Sequence, residues 1–480
     1  MTDKAHEDWL DRELLAHKME PVIGELFNRQ GIEIKIFGKT QTNETPLSIL
    51  RSIERGDLIS RKKLDVKLYS ALLHDISSMG LGLCRIDLGL LVLAYTEMLD
   101  KFPSSKQFIR SELPSIFFET GTGPARPEDV VLYGFGRIGR VLLRLLVATT
   151  GAARFFRVRA VVVRGVGGAS DLSKRAELLR HDSIHGAFDG IIEENVDDSE
   201  LIVNGNRIKF IFASHPGEID YSFYGFENVV VIDNTGVWRD RSGLTQHIKG
   251  AVKKVVLTAP GKGDIPNVVF GINHQDNYQD DILSCASCTT NAVVPTLKVI
   301  SDQYGVEAGH IETIHSYTND QNLLDNYHKA ERRGRSAPLN MVITTTGAAK
   351  AVEKVLPEYT GKLTGNSVRV PTSNVSLAIL NLTLSKSVAR DELNDFLRET
   401  SIHSPLHKQI DFTVRPVVSS DLGKSVYTGI VDSLATLAKG KNVVIYVWYD
   451  NEFGYCHQVK RLVRYICGDS VPEYSGRQRK

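Results

Sequence analysis

A cysteine with short polar neighbours is the clearest candidate for chemistry in this sequence. Cys288 lies in SCASCTTN, residues 284–291, directly before a predicted apolar helix. The unpaired N–H groups and positive partial charge at a helix N-terminus favour an anion, and the thiolate is the nucleophilic form of cysteine. The pattern therefore predicts a nucleophile that loses its proton easily, although a lone cysteine beside a helix cap is more often structural.

The other cysteines point away from disulfide and metal chemistry. Cys285 and Cys288 form one C-x-x-C pair, which elsewhere supports thiol–disulfide exchange. This pair comes late in the chain and is followed by Thr-Thr-Asn, so nucleophilic chemistry is favoured over redox exchange. Five cysteines at irregular spacing indicate neither a disulfide framework nor a structural zinc site, and no metal site is predicted.

A glycine-rich turn supplies a second chemical signal. Residues 130–133 read as a short apolar strand, GFGRIGR follows, and an apolar helix comes next. A G-x-G-x-x-G turn between strand and helix is typical of dinucleotide binding, because the glycines let the pyrophosphate approach the helix N-terminus. The predicted cofactor contacts here are Gly134, Gly136, Arg137, Ile138 and Gly139.

The end of the next strand bears on the choice of cofactor. An acidic residue there would hold the ribose 2′-OH of NAD, but the strand ends at Arg164 and the first carboxylate is Asp171. Arginine suits the 2′-phosphate of NADP, so NAD or NADP is expected, with NADP slightly favoured. If Arg164 faces solvent, NAD is used instead.

Composition and length define the wider organisation. The chain has 480 residues and a formal net charge of +1, so two or three domains are expected and no strong field attracts nucleic acid or a membrane. Neither a signal peptide nor a membrane span is predicted, which favours a cytoplasmic location. Apolar residues at helical spacing fill residues 1–127, where Thr45 and Pro46 predict a helix start. A Gly/Pro-rich linker at 121–129 ends this extension, and the C-terminal tail is expected to be frayed.

From about residue 130 to residue 468 the chain resembles the phosphorylating glyceraldehyde-3-phosphate dehydrogenases. The shared motifs are YGFGRIGR, HDSIHGAFDG, DNTG, VVLTAPGKG, SCASCTTN, HSYTNDQ, TTTGAAKAVEKVLPEYTGKLTG, RVPTSNVS and WYDNEFGY. The resemblance implies an α/β protein with a Rossmann-type dinucleotide domain over 128–288, completed by 451–480. It implies an α+β catalytic domain with a mainly antiparallel sheet over 289–450, and an all-α extension over 1–127 would precede both. The family also suggests a homotetramer.

The resemblance further implies a role for each matched residue. Cys288 would be the nucleophile, and His315 would be the catalytic histidine that orients the carbonyl and accepts a proton. Further cofactor contacts would be Thr235, Gly236, Thr258, Asn451 and Tyr455. The substrate phosphate would be held by Thr318 and Arg369, and inorganic phosphate by Ser287, Thr289, Thr346 and Gly347.

The implied activity is that of a phosphorylating oxidoreductase. It would convert glyceraldehyde 3-phosphate, NAD(P)⁺ and phosphate to 1,3-bisphosphoglycerate through a thioester, in glycolysis or in the gluconeogenic direction. Erythrose 4-phosphate is an alternative substrate, and a non-catalytic binding or regulatory protein is an alternative of another class. The loop near residue 325 lacks the DGP turn of NAD-specific members, and Ala292 replaces the family's second cysteine.

Overall fold

The N-terminal extension is mainly helical and has its own apolar core. The computed structural model describes residues 4–119, 121, 123–149, 151, 155–165, 167–344 and 347–477, so Thr122 of the predicted linker lies outside the described residues. The helices of the extension are α1 (Lys4–Glu25), α2 (Pro46–Ser60), α3 (Val66–Ser77), α4 (Leu88–Thr96) and α5 (Ser105–Glu112). The predicted start of α2 is confirmed, because the Thr45 side chain accepts a hydrogen bond from the N–H of Ser48.

A small sheet accompanies these helices, so the extension is not purely α-helical. Its strands are β1 (Glu33–Ile36), β2 (Lys39–Thr40) and β3 (Arg85–Asp87), in the order β2-β1-β3. The last strand of the chain, Glu473–Tyr474, pairs in parallel with β3. The prediction of a frayed C-terminal tail is therefore wrong at these two residues: Tyr474 is buried in the core of the extension, and its hydroxyl donates to Glu112.

The dinucleotide sheet follows the extension. Its elements are β4 (Glu128–Tyr133), α6 (Arg137–Val147), β5 (Phe156–Val163), α7 (Ala169–Arg180), β6 (His181–Asp182), β7 (Gly186–Ala187), β8 (Ile192–Asn195), β9 (Glu200–Val203), β10 (Asn206–Phe212), β11 (Val229–Asp233), α8 (Arg241–Thr245), β12 (Val252–Leu257), α9 (His274–Asn277) and β13 (Ile282–Ser284). The strand order is β13-β12-β11-β4-β5-β10-β9-β8, and β6 pairs only with β7. Neighbours from β13 to β10 are parallel, and the central strands β4 and β11 are almost fully buried.

The catalytic half is built on a mixed, mainly antiparallel sheet, as predicted. Its elements are α10 (Cys288–Tyr304), β14 (Val306–Ser316), β15 (Val342–Thr344), α11 (Ala348–Val355), β16 (Leu363–Val370), β17 (Ser376–Leu384), α12 (Arg390–His403), β18 (Ile410–Thr413), β19 (Gly429–Asp432), β20 (Leu437–Lys439) and β21 (Asn442–Tyr449). The order is β15-β16-β14-β17-β21-β19-β18, and β20 pairs with β21. Helix α10 packs its buried apolar side against this sheet.

The C-terminal segment returns to the dinucleotide sheet. Helix α13 (Phe453–Ile466) lies against α6, and its Val459, Leu462 and Val463 belong to the same apolar core as Val141 and Leu142. Strand β22 (Glu473–Tyr474) then continues into the extension. The chain positions predicted as domain boundaries stay predictions. Among the described residues, no helix is both long and apolar enough to cross a membrane.

Candidate active site

The parallel strands bring the predicted cofactor residues to one edge of the sheet. Strands β4, β5, β11 and β12 run in the same direction and end at Tyr133, Val163, Asp233 and Leu257. The residues that follow these ends therefore lie along one edge, where ligands bind to doubly wound sheets. They include Gly134, Arg164, Thr235, Gly236 and Thr258.

The glycine turn leaves room where a pyrophosphate would bind. Gly134 has a φ of +99°, which favours glycine, and a Cβ on Gly139 would come within 2.4 Å of the Gly134 carbonyl oxygen. A Cβ on Gly136 would meet no atom within 4 Å, so the N-terminus of α6 is open to a ligand. These residues fit a dinucleotide, with N–H groups of the turn facing its phosphates.

Two predicted contacts in this turn have other side-chain partners. Ile138 packs against the apolar core of the dinucleotide sheet. The Arg137 guanidinium donates to Glu452, at 2.6 Å, and to Asp182, at 3.2 Å. Arg137 thus ties the turn to the segment before α13, and only its backbone N–H is suited to the cofactor.

The end of β5 carries more positive charge than the sequence pattern indicated. The Arg164 side chain is exposed. Arg175, which the sequence analysis missed, donates to the Arg164 carbonyl oxygen at 3.0 Å and to Asp171 at 2.8 Å. Asp171 is therefore already paired with a cation. Because Arg175 is eleven residues from Arg164 and lies in α7, only the fold shows that they are neighbours.

A buried carboxylate organises the next strand end. Asp233 accepts hydrogen bonds from the N–H and the hydroxyl of Thr235, at 2.8 and 2.6 Å, and Nε2 of His247 lies 3.1 Å from its other oxygen. The Thr258 hydroxyl donates to the Asp233 carbonyl oxygen. Gly236 has a φ of +63° and open space at its Cβ position. Thr235, Gly236 and Thr258 are thus fixed at the sheet edge, although no observation tests their cofactor contacts.

The fold brings Cys288 and His315 together from different elements. Cys288 is the first residue of α10, and His315 is the second last residue of β14. The distance from Cys288 Sγ to His315 Nε2 is 3.6 Å. Ser287 caps the helix, since its side chain accepts a hydrogen bond from the N–H of Thr290 at 3.0 Å. The cysteine is half-buried and the histidine is buried.

The two sides of the His315 ring determine which way its proton faces. Nδ1 lies 2.7 Å from the Ser316 carbonyl oxygen and 2.8 Å from a guanidinium nitrogen of Arg369. If Nδ1 donates to Ser316, Nε2 accepts the thiol proton; if Nδ1 accepts from Arg369, Nε2 donates to sulfur. The first arrangement sets His315 up as a base toward Cys288, and the second as a donor to it.

The electrostatics of the free site differ from the sequence prediction. Burial raises the pKa of the Cys288 thiol, although the charge of Arg369 and the N–H of Thr289 act in the opposite direction. The prediction of an easily ionised thiol is therefore wrong for the free protein, because desolvation outweighs the helix N-terminus. Burial, with the charge of Arg369, also lowers the pKa of His315 to about 3, so both groups are neutral near pH 7.

Arg369 places a cation beside this pair. It lies on β16, where it is the register partner of His315, and donates to the Ser316 carbonyl oxygen at 2.8 Å. Its buried Nε has no hydrogen-bond partner among the described residues. A guanidinium with a spare buried N–H is suited to an anion. Thr318 follows the end of β14 and is half-buried.

The residues predicted to bind inorganic phosphate differ in how the structure places them. The Thr289 hydroxyl is 2.9 Å from that of Tyr449, so it is fixed by the sheet behind it. Gly347 lies directly before α11, where a ligand could approach the N–H groups of the first turn. Thr346 lies outside the described residues.

A polar network fixes the two residues that were predicted to contact the nicotinamide. The Asn451 side-chain oxygen accepts from the Ser376 hydroxyl at 3.1 Å, so its NH₂ group is the one that can face a ligand. Tyr455 is buried, and its hydroxyl donates to the Ala286 carbonyl oxygen at 3.1 Å. Tyr455 therefore supports the cysteine loop from behind.

Glu452 is the main residue that the sequence analysis did not name. It lies 2.7 Å from Nε2 of His185 and accepts from Arg137, joining three segments that are far apart in sequence. Its only sequence signal is its position within WYDNEFGY. Cys285 is buried and its thiol pKa is raised by burial, so it is poorly suited to exchange with Cys288. Among the described residues, no group of three or more His, Cys, Asp or Glu side chains could hold a metal ion.

Comparison with known proteins places these features in one family. A family model for the glyceraldehyde 3-phosphate dehydrogenase NAD-binding domain matches residues 128–241, and one for the C-terminal domain matches residues 287–451. A glyceraldehyde-3-phosphate dehydrogenase-like protein of Pseudomonas aeruginosa (strain UCBPP-PA14) is 48% identical over 461 residues, which cover 95% of this chain and 100% of the relative. This match therefore includes most of the extension.

Other relatives match about seven tenths of this chain. Glyceraldehyde-3-phosphate dehydrogenase 1 of Bacillus cereus is 39% identical over 336 residues, covering 69% of this chain and 96% of the relative. The chloroplastic glyceraldehyde-3-phosphate dehydrogenase A of Zea mays is 40% identical over 357 residues, covering 73% of this chain and 86% of the relative.

Proposed function

This chain belongs to the glyceraldehyde-3-phosphate dehydrogenase family of NAD-dependent oxidoreductases, and from that premise we propose that it oxidises and phosphorylates glyceraldehyde 3-phosphate through a thioester on Cys288. The observation that supports this most directly is the 3.6 Å distance from Cys288 Sγ to His315 Nε2, with Arg369 beside the pair. A nucleophile, a base and an anion-binding cation lie within one small volume.

The first step is addition of sulfur to the aldehyde carbon. His315 takes the thiol proton through Nε2 while Nδ1–H donates to Ser316, and a hemithioacetal forms on Cys288. An anionic substrate bound to Arg369 would offset the charge that lowers the His315 pKa. Substrate binding would therefore make His315 a stronger base at the moment when one is needed.

The later steps use the same groups. His315 passes the thiol proton to the carbonyl oxygen as the hemithioacetal forms, and it can then take that hydroxyl proton back. The nicotinamide would supply the hydride acceptor when bound, and loss of hydride and proton leaves a thioester on Cys288. Inorganic phosphate, held near Ser287, Thr289 and the N-terminus of α11, then attacks the thioester and releases the acyl phosphate. The reverse direction uses the same residues, so we propose that the protein can also work in the gluconeogenic sense.

We propose that the protein accepts NADP as well as NAD. Arg164 and Arg175 both lie at the end of β5, where a 2′-phosphate would be placed, and Asp171 is paired with Arg175. The Asn451 side-chain NH₂ is positioned to donate to a bound carboxamide.

We also propose that the protein forms a homo-oligomer, a tetramer by analogy with the family. The loop between β14 and β15 exposes large apolar side chains, including Leu323 at 72%, Tyr327 at 90% and Leu339 at 80%. An apolar surface of this kind is typical of an interface with another chain.

A cofactor-reduction assay tests the proposed reaction. The protein is given glyceraldehyde 3-phosphate or erythrose 4-phosphate, with NAD or NADP, in the presence and absence of phosphate. We expect phosphate-dependent reduction with glyceraldehyde 3-phosphate, at least a thousandfold loss in Cys288→Ser, and near wild-type rates in the matched control Cys285→Ala. Wild-type turnover by Cys288→Ser would overturn the mechanism. No reduction with either aldehyde would favour a non-catalytic binding protein.

A further inference from the structure

A cavity lies where the extension meets helix α13. Its volume is about 410 Å³, and it is lined by β1 and β2 of the extension, by α13, by Lys408 and by the C-terminal segment that includes Glu473. This is within the size range of small-molecule sites, roughly 300–1,000 Å³. None of the residues assigned to the catalytic site or the dinucleotide turn lines it.

Positive charge exceeds negative charge among the described residues that line this junction cavity. Seven lysine and arginine side chains face it against four carboxylates. Glu473 accepts from both Lys35 and Lys408, so one carboxylate serves two cations. The two carboxylates of Glu33 and Asp469 serve Arg85 and Arg464, and Glu44 serves Lys39.

Two of the cations have no carboxylate partner among the described residues. Arg461 donates only to neutral oxygens, including the Gln458 side chain at 2.7 Å and the Lys408 carbonyl at 2.7 Å. The side-chain ammonium group of Lys460 makes neither an ion pair nor a hydrogen bond with any described residue. One turn earlier, the buried Nε2 of His457 also lacks a partner among them. Three consecutive cavity-facing positions of α13 thus present polar groups that nothing in the described chain satisfies fully.

Such an arrangement costs free energy unless a ligand completes it, because uncompensated cations in a partly buried space lose hydration. The pKa values of two lysines in the cavity are shifted in the direction that this cost predicts. Burial, with the charge of Arg464, lowers the pKa of Lys460 to about 7, and burial, with the charge of Lys35, lowers that of Lys408 to about 8. An anion in the cavity would restore the charged forms.

We propose that the junction cavity binds a small phosphorylated metabolite, whose phosphate group is held by Lys460, Arg461 and Lys408. Aromatic side chains of Phe27, Phe453 and Tyr465 line the same space and offer an apolar surface for the organic part of the ligand. Sugar phosphates and nucleotides share this chemistry. The bound ligand would contact both the extension and α13, and it would hold the two together.

Titration calorimetry and thermal melting test this site on the full chain saturated with its dinucleotide. The probes are pyrophosphate, fructose 1,6-bisphosphate and guanosine 5′-diphosphate; the last one avoids the adenine that the dinucleotide site would recognise. The variant is Lys460→Gln, and the matched control is Lys439→Gln, an exposed lysine outside the cavity. The wild type and both variants keep the same catalytic site and bind anions there equally. Only the difference in probe binding between Lys460→Gln and the other two proteins therefore reports on the cavity.

We expect at least one probe to bind the wild type and Lys439→Gln equally, and to bind Lys460→Gln at least tenfold more weakly. At pH 8, binding to the wild type should take up protons, seen as a dependence of the heat on the buffer's ionisation enthalpy. Lys460→Gln should take up fewer protons, since only Lys408 is left to be recharged by the anion, and without a probe it should melt no lower than the wild type. Tighter binding of the bisphosphate would identify a sugar phosphate as the ligand, and tighter binding of the diphosphate a nucleotide.

Two results would overturn the proposal. One is that no probe shows binding that depends on Lys460. The other is that Lys460→Gln melts below the wild type without a probe, which would mean that the lysine is already satisfied within the folded chain. Neither result bears on the proposed dehydrogenase reaction, since Cys288, His315 and Arg369 are unchanged.

Discussion

The catalytic cluster and the junction cavity both hold cations next to groups that lack their full set of partners, but they are built differently. Cys288 begins a helix, and His315 and Arg369 face one another on paired strands, so short motifs carry the whole arrangement. The cavity collects its cations from the extension, from α13 and from Lys408. None of these cations lies within one of the shared motifs.

The difference follows from what each region has to do. Covalent chemistry needs particular atoms within one hydrogen-bond length, so few residue types and spacings can satisfy it. Binding an anion by charge needs only several donors around a space, and many combinations of lysine and arginine provide that. A chemical site therefore leaves a local pattern in the sequence, whereas an electrostatic site does not.

The largest expected effect lies in the catalytic cluster. His315→Asn should lower the rate of aldehyde oxidation by about 10³-fold, because it removes the base next to sulfur. Initial rates of cofactor reduction measure this. His310→Asn is the matched control, since His310 is on the same strand and binds Thr364 and Asn366 near the surface. If His315→Asn keeps more than a tenth of the activity, the pair does not work as proposed.

The next largest effect is expected at Glu452, which joins Arg137 to His185. Glu452→Gln should destabilise the protein by about 4 kcal/mol, because it leaves His185 without its carboxylate partner and Arg137 with Asp182 alone. A shift of the urea midpoint measures this. Glu307→Gln, which breaks the exposed pair with Lys441, should change stability by less than about 0.5 kcal/mol. Equal midpoints for the two variants would contradict the prediction.

The same residue predicts how stability depends on acid. Burial alone would raise the Glu452 pKa, but hydrogen bonds from Arg137 and His185 outweigh it and hold that pKa below its usual value of 4.5. The stability that the ionised Glu452 contributes is therefore complete above about pH 4.5. It is lost as the pH falls through the lower pKa that Glu452 has in the folded protein. Glu452→Gln should lack this part of the acid-induced loss.

Docking of the extension depends on the C-terminal strand. Tyr474→Ala should destabilise the extension by about 3 kcal/mol, since it empties a buried aromatic site in the core and breaks the hydrogen bond to Glu112. Limited proteolysis should then cut the extension faster, while dehydrogenase activity changes little. Tyr474→Phe should lose only the hydrogen bond and resist proteolysis nearly as well as the wild type. Unchanged cleavage of Tyr474→Ala would show that the strand is dispensable.

The smallest expected effect is a pH dependence at the cavity. Arg464, Arg461, Lys35 and Glu33 surround Lys460, and its pKa of about 7 lies below its usual value of 10.5. The unfolded chain binds more protons between these values, so the penalty is complete below about pH 7 and is relieved as pH rises toward 10.5. Wild-type stability should therefore gain about 1 kcal/mol from pH 7 to pH 9 relative to Lys460→Gln. The gain is no larger because the side chain borders open solvent, which screens its charge. Parallel curves in urea would contradict this.

The elements around the catalytic cluster could be predicted well. A strand followed by G-x-G-x-x-G and a helix needs only local spacing, and the structure has β4, the turn and α6 in that order. The small sheet of the extension could not be inferred in the same way. Strand β1 lies between β2 and β3, and β22 comes from the far end of the chain. Pairing over such distances leaves no local signal.

The sequence by itself determined the family and the strand, glycine turn and helix of the dinucleotide sheet, and it singled out Cys288 and His315 as candidates, because each depends on residue types at short, fixed spacings. Only the tertiary structure decided that Glu452 joins Arg137 to His185, that Asp171 is already paired with Arg175, and that cations gather beneath the extension. Those features depend on distances between segments hundreds of residues apart. They also depend on burial, which turned an expected thiolate into a neutral thiol in the free protein.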